Sequence, residues 1–176
     1  MYRRNGTRFE ENHIQVQDRS GRKTVPVWAW FSASGAGDFV RIEGKLNDDK
    51  YINILGDILL PSIHLRFPGI CVKFIQDKSP IHGANVIKHW FAEQLEIELL
   101  PWPAKGADLN PIENVWGDIV KDSEFFRPRT SDEVFERACS IWNGYSGNPN
   151  YWRKLAYSMV TRLRHVIDNN GGWTKY

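Results

Sequence analysis

The sequence predicts an α/β fold, and three observations carry that prediction. Residues 71–76, 83–96 and 97–100 read in turn as strand, helix and strand, an order that makes the two strands parallel neighbours. Residues 25–43 read as a hairpin with apolar side chains on both faces. Residues 48–60 switch to a helical period, so helices stand beside the strands rather than replacing them.

The elements follow in order. Residues 1–22 are polar and charged, with Arg3, Arg4, Arg8 and Arg19 prominent, and are expected to pair with the next strand only in part. Val25, Val27, Ala29 and Phe31 alternate with Pro26, Trp28, Trp30 and Ser32, and both sets are mostly apolar, as in a strand covered on both sides. Pro26 places the start of that strand at an edge. The Gly- and Ser-rich residues 32–37 form the turn, and 38–43 the returning strand. Tyr51, Ile52, Leu55, Ile58 and Leu59 recur at helical spacing after Asn47, Asp48 and Asp49, and Pro61 is expected to end this helix. The strand 71–76 then runs into the carboxylate of Asp77, where Pro80 breaks the pattern. Val86, Ile87, Trp90 and Phe91 mark the helix 83–96.

A loop over 101–110 leads to a helix that opens at Asn110, with Pro111 at its first position, Glu113 in its first turn, and Val115, Trp116 and Ile119 as its apolar stripe. Thr130-Ser131-Asp132-Glu133 has the spacing of a capping box and opens a helix to Trp142. Asn148-Pro149 introduces the last helix, about 150–168, and Gly171 and Gly172 end it.

Two carboxylates stand out. An acid at the C-terminal end of a strand faces a crevice, and an acid in a helix's first turn can reach the same crevice, so Asp77 and Glu113 can converge on one hard cation such as magnesium. Each also has a plainer reading: Glu113 as the capping-box partner of the Asn110 amide, Asp77 as a turn acid. His82 either orients a phosphate or carboxylate, or caps and packs its helix. Trp102 either stacks on a base or fills the core, and Lys105 is placed for phosphate contact. Arg153, Lys154, Arg162 and Arg164 give the last helix a basic side that either follows a DNA backbone or is simply solvated.

A length of 176 residues with 41% hydrophobic and 13% aromatic content predicts one folded domain, 1–176, and argues against disorder. A net charge of +2 is compatible with nucleic acid but does not identify a binder. Cys71 and Cys139 make neither a metal-ligand spacing nor a disulfide framework, which fits an intracellular, reducing compartment. There is no apolar run of membrane-spanning length and no signal-peptide pattern, so neither membrane insertion nor secretion is expected.

Several of these segments together resemble the DDE transposases of the mariner superfamily. The residues concerned are Asp77 closing a strand, the turn through Pro80 and His82, the Trp102-Pro103 loop, and the run D-L-N-P-I-E-N-V-W from Asp108 to Trp116. The closing residues, ending Gly171-Gly172-Trp173-Thr174-Lys175-Tyr176, are similar to that family's C-terminus. The resemblance implies a ribonuclease H-like mixed sheet flanked by helices. It also implies three acids that hold two divalent metals, Mg2+ or Mn2+, for cleaving and transferring DNA strands. Asp77 and Glu113 match the second and third acids.

It further implies DNA as partner, a nuclear location without a recognisable basic targeting run, and DNA contacts from His82, Trp102, Lys105, Asn110, Arg162 and Arg164. Thirty-five residues separate the two acids, one more than is typical of the family branch ending in Glu, and Lys78 stands where an Asn is usual. Tyr2-Arg3-Arg4 resembles the stretch just downstream of the first acid, and Glu10, Glu11 and Asp18 sit in text without strand character. The expectation is therefore an N-terminally truncated domain lacking its first, central strand, inactive alone. The gap would be met by upstream residues, by a strand from a partner or second copy, or by rearrangement of 1–22. A domesticated, non-catalytic DNA- or protein-binding module is the alternative.

Overall fold

Strand β1 (Val27–Ser32) carries apolar side chains on both faces, and the fold covers both. In the computed structural model, which describes residues 23–103, 106 and 108–172, β1 pairs antiparallel with β2 (Gly35–Arg41). Trp28 and Trp30 point into one core, with Tyr51, Leu55, Leu59, Ile63, Ile87, Phe91 and Ile97. Ala29 and Phe31 pack on the other, built on Val115, Ile119, Ile141, Trp142 and Trp152. The alternation in the sequence thus becomes a helix–strand–helix sandwich, and each large side chain removed from water contributes about 1.5–3 kcal/mol.

The turn is tighter than the sequence suggests. Ser32 pairs with Gly35 across two residues, because Gly35 takes φ 142°, a conformation open to glycine. The pairing slips between Ala29 and Phe31, leaving Gly37 and Asp38 as a bulge opposite Trp30. The Trp30 ring lies on Gly37, where an added Cβ would fall 2.2 Å from a ring carbon, and its Nε1 donates to Asp38 Oδ2 at 2.8 Å. Gly37→Ala is therefore expected to displace the indole, break that bond and lower the thermal midpoint by several degrees, measurable by calorimetry.

The helix expected to stop at Pro61 does not. Helix α1 (Asp48–Ile54) passes through a π-helical turn (Leu55–Leu59) into α2 (Leu60–Arg66), with Pro61 in α2's first turn. Proline lacks the amide that would close the next α-helical bond, and the wider turn just before it absorbs that loss, so the apolar stripe continues to Ile63.

Strand β3 (Val72–Phe74) pairs in parallel with β4 (Ile97–Leu99) through α3 (Asn85–Glu93), as the strand–helix–strand order requires. It is shorter than expected, so Asp77 lies three residues beyond its end rather than on it. Helix α4 (Ile112–Asp122) is followed by α5 (Ser131–Ser146) and α6 (Pro149–Asp168), both of which start where the capping signals predict, with α5 running one turn past the expected Trp142. Thr130 Oγ1 accepts from the Glu133 amide at 3.1 Å, and Asn148 Oδ1 from the Tyr151 amide at 3.2 Å. Two α4 carboxylates one turn apart tie the bundle together: Asp118 accepts from the Tyr151 hydroxyl and Asp122 from the Tyr145 hydroxyl, each at 2.7 Å. Among the described residues the strands form two separate two-stranded sheets, β1–β2 and β3–β4. Residues 1–22, including the acids at 10, 11 and 18, lie outside the description.

Candidate metal centre

Asp77 sits in the loop between β3 and α3, and its surroundings fix one oxygen. Oδ1 accepts from the Ser79 amide at 3.0 Å and from His82 Nδ1 at 2.6 Å. The first contact is an Asx turn, so the turn reading of Asp77 holds alongside any functional one. With Asp77 ionised, Nδ1 carries the shared proton. The imidazole is held in turn against the Tyr51 ring, centroids 4.6 Å apart, and Tyr51, which is fully buried, donates its hydroxyl to Gln76 Oε1 at 2.5 Å. Burial first, and the charge of Asp77 second, push the Tyr51 phenol well above its ordinary range, so it stays a donor. Gln76 Nε2 closes the loop on the His82 carbonyl at 3.4 Å. Among the described residues both Asp77 contacts fall on Oδ1, and none is made by Asp77 Oδ2.

Glu113 comes from the first turn of α4, one position nearer the helix start than expected, because Ile112 rather than Pro111 opens it. Pro111 is the cap residue, and Asn110 just before it meets the first amides: its carbonyl accepts the Glu113 amide at 3.2 Å and its Oδ1 the Ile112 amide at 3.4 Å. Among the described residues no hydrogen bond ties the Glu113 carboxylate back to the Asn110 amide, so the side chain is not spent on a capping box. Although the residue is exposed, the atoms crowding its carboxyl raise its pKa, and the negative charge of Asp77 raises it further. Two carboxylates within one another's field, with hard oxygen donors and partial desolvation, suit a divalent cation. Among the described residues no group of three or more His, Cys, Asp or Glu stands close enough to hold a metal. Lys78 is exposed and makes no ion pair with Asp77 among the described residues.

The other expected contact residues divide. His82 orients the Asp77 carboxylate through Nδ1. Trp102 is buried at 7% exposure and donates Nε1 to the Gly106 carbonyl at 3.2 Å, which corrects the expectation of base stacking: it packs the loop, and an added Cβ on Gly106 would lie 2.9 Å from its Nε1. Arg162 is corrected likewise. At 1% exposure it faces inward, with its guanidinium spread over three acceptors among the described residues. Arg153, Lys154 and Arg164 are exposed, and Lys105 lies outside the described residues. The sequence carried a signal for Arg162. It falls on the stripe of α6 shared by Trp152, Leu155, Met159 and Val166, which is the face turned to the core.

The described residues thus pack helices around two short sheets, with one acid in the loop after β3 and another in the first turn of α4. The chain belongs to the family described as DDE superfamily endonuclease, whose pattern it matches over residues 1–134. It is 30% identical over 171 residues to the Tc1 transposase of Caenorhabditis elegans, covering 97% of this chain and 61% of that protein. To the Tc3 transposase of the same organism it is 31% identical over 157 residues, 89% of this chain and 47% of that one. The chain thus spans about three fifths or less of the length of these relatives. Its fold matches the Mos1 transposase in a paired-end complex with the left transposon end, with TM-score 0.78, 17% identity, and coverage of 90% of this chain and 47% of that one. It also matches the Mos1 catalytic domain solved with raltegravir and magnesium, with TM-score 0.77, 16% identity, and coverage of 86% and 77%. The fold is therefore the ribonuclease H-like one of the mariner transposase catalytic domain.

Proposed function

We propose that this chain is the catalytic part of a DNA transposase, working in the nucleus, whose Asp77 and Glu113 hold a divalent cation for cutting and rejoining DNA strands. What supports the reading is that Asp77 Oδ1 is anchored by His82 and Ser79, and that the charge of Asp77 is felt at the Glu113 carboxyl, which is left out of its own helix cap. A magnesium or manganese ion held there would supply charge stabilisation at the oxygens of a phosphodiester in displacement. The protein's own part is to fix the carboxylates: Asp77 through the His82–Tyr51 stack, Glu113 through the start of α4. The likeness to Mos1 transposase supports the same reading, since that protein has been solved once on a transposon end and once with magnesium.

Two acids are not a complete site of this kind. We propose that a third acid and a strand joining β1–β2 to β3–β4 come from residues outside the described ones or from a second polypeptide. Nicking of supercoiled plasmid in manganese, by the chain alone and by the chain supplied in cis with a preceding strand bearing an Asp, tests this. Nicking that requires the added strand supports the reading; no nicking by either form overturns it and leaves a nucleic-acid-binding module.

DNA binding itself is expected to be indifferent to sequence and to weaken steeply with salt. Log K should fall against log salt with a slope of about −0.9 per neutralised phosphate. Arg153→Ala and Arg164→Ala, on exposed positions of α6, should each reduce that slope by about one, read by fluorescence anisotropy at several salt concentrations. A flat profile would remove DNA as the partner.

A further inference from the structure

The guanidinium of Arg162 is almost wholly buried, and its three nitrogens face three different parts of the chain. Nε donates to Ser158 Oγ on its own helix at 2.9 Å, Nη1 to the Asp108 carbonyl in the loop at 2.7 Å, and Nη2 to Asn114 Oδ1 on α4 at 2.5 Å. Asp108 begins the turn that leads into α4, and Asn114 directly follows Glu113. One rigid, planar fork therefore joins α6 to the stretch that aims the Glu113 carboxylate, gripping it five residues before and one residue after. The Ser158 bond fixes the fork in turn, since Ser158 stands one turn earlier on α6. Burying a guanidinium is costly unless its donors are met, and these three bonds meet them.

We propose that Arg162 is a positioning residue for the metal centre: by clamping Asp108 and Asn114 it sets the start of α4, and so brings Glu113 to bear on the cation shared with Asp77. This rests on the reading of Asp77 and Glu113 as metal ligands. Lysine cannot replace it, because a single ammonium on a flexible stem does not present three donors in a fixed plane to acceptors on three segments.

Manganese titrated calorimetrically into the full chain tests it, with Glu113→Gln, Arg162→Gln, Arg162→Lys and the distant core variant Ile63→Val alongside, and amide hydrogen exchange recorded for each. Both Arg162 variants are expected to weaken manganese affinity by about tenfold, the loss typical when a group supporting a ligand is removed. They should also speed exchange at Leu109, Glu113 and Asn114. Ile63→Val, which trims a side chain buried in the Trp28 and Trp30 core, should lower the melting temperature while leaving affinity within about twofold. Unchanged affinity in the Arg162 variants, with the unmutated chain binding normally, overturns the positioning role and leaves the metal reading intact. Absence of binding by the unmutated chain overturns the metal reading instead, and the exchange data then decide whether the clamp orders the start of α4. If Arg162→Gln does not fold, Asn114→Ala removes the same bond from the other side and is expected to reproduce the loss.

Discussion

In chains carrying Asp77→Asn or Glu113→Gln, manganese affinity is expected to fall by at least about tenfold, since each change removes a charged oxygen ligand outright. Thermal unfolding shows this without any assay of activity. With manganese at ten times its Kd the unmutated chain should gain about 1.4 kcal/mol, and neither variant should gain a comparable amount at the same concentration.

The metal-free proteins should behave in the opposite sense at Glu113. Its carboxyl titrates above the ordinary glutamate range in the fold, first because it is partly desolvated and then because Asp77 faces it. The folded state thus holds that proton more tightly than the unfolded chain does. Stability from this group is fully present below the ordinary glutamate pKa and is lost as pH rises through the elevated one. At pH 7 the ionised Glu113 is therefore a cost, and Glu113→Gln should melt higher than the unmutated chain. Near pH 4 the two should converge. A group that weakens the empty fold and strengthens the loaded one is what a ligand site looks like thermodynamically; Glu113→Gln melting lower at both pH values would make it a structural residue instead. For the same reason manganese affinity should fall as pH drops through the raised Glu113 value, because the ligand must lose its proton to bind.

How much of this could be read from the sequence depends on which interaction fixes each residue. Local signals were enough where local chemistry decides: the Thr130 and Asn148 caps, the parallel order of β3 and β4, and the double-faced apolar pattern of β1 all correspond to observed elements. The motif around Glu113 also placed that acid in a first turn. Local rules failed where a distant partner decides. Pro61 reads as a stop, but the core contacts of Ile63 and the π turn before it carry the helix on to Arg66. Trp102 has an open choice in the sequence between a base and the core, and only the fold places it against Gly106. Arg162 and Arg164 are two residues apart and chemically alike, yet one is buried and the other exposed. Helical phase separates them, and counting charges on α6 discards phase. His82 is of the same kind. Its spacing from Asp77 shows that they can meet, whereas the reason they do is the Tyr51 ring from α1, twenty-six residues before Asp77.

Trp152→Ala should be the most damaging single change to stability. The indole is fully buried, lies 5.3 Å from the Phe31 ring and 5.0 Å from that of Trp142, and donates Nε1 to the Tyr145 carbonyl at 2.9 Å. Through Phe31 it holds the hairpin, through Trp142 helix α5, and in the same cluster lies Val115, two residues after Glu113. Emptying that volume is expected to cost about 3–5 kcal/mol. In a domain of this size that corresponds to a fall in melting temperature of roughly 6–20 °C. Trp152→Phe keeps much of the ring contact and forfeits the bond to Tyr145, so it should lose less than half as much stability. The hairpin supplies the reason why the damage should spread: its other face still carries Trp28 and Trp30, so once the Trp152 side opens, β1 is left covered on one face only. Hydrogen exchange on Trp152→Ala should accordingly accelerate first in β1, β2 and α6, while amides of α1 and α3 follow only global unfolding. Equal acceleration in all of them would mean that the two cores melt as one unit, and that the strands between them do not separate their stabilities.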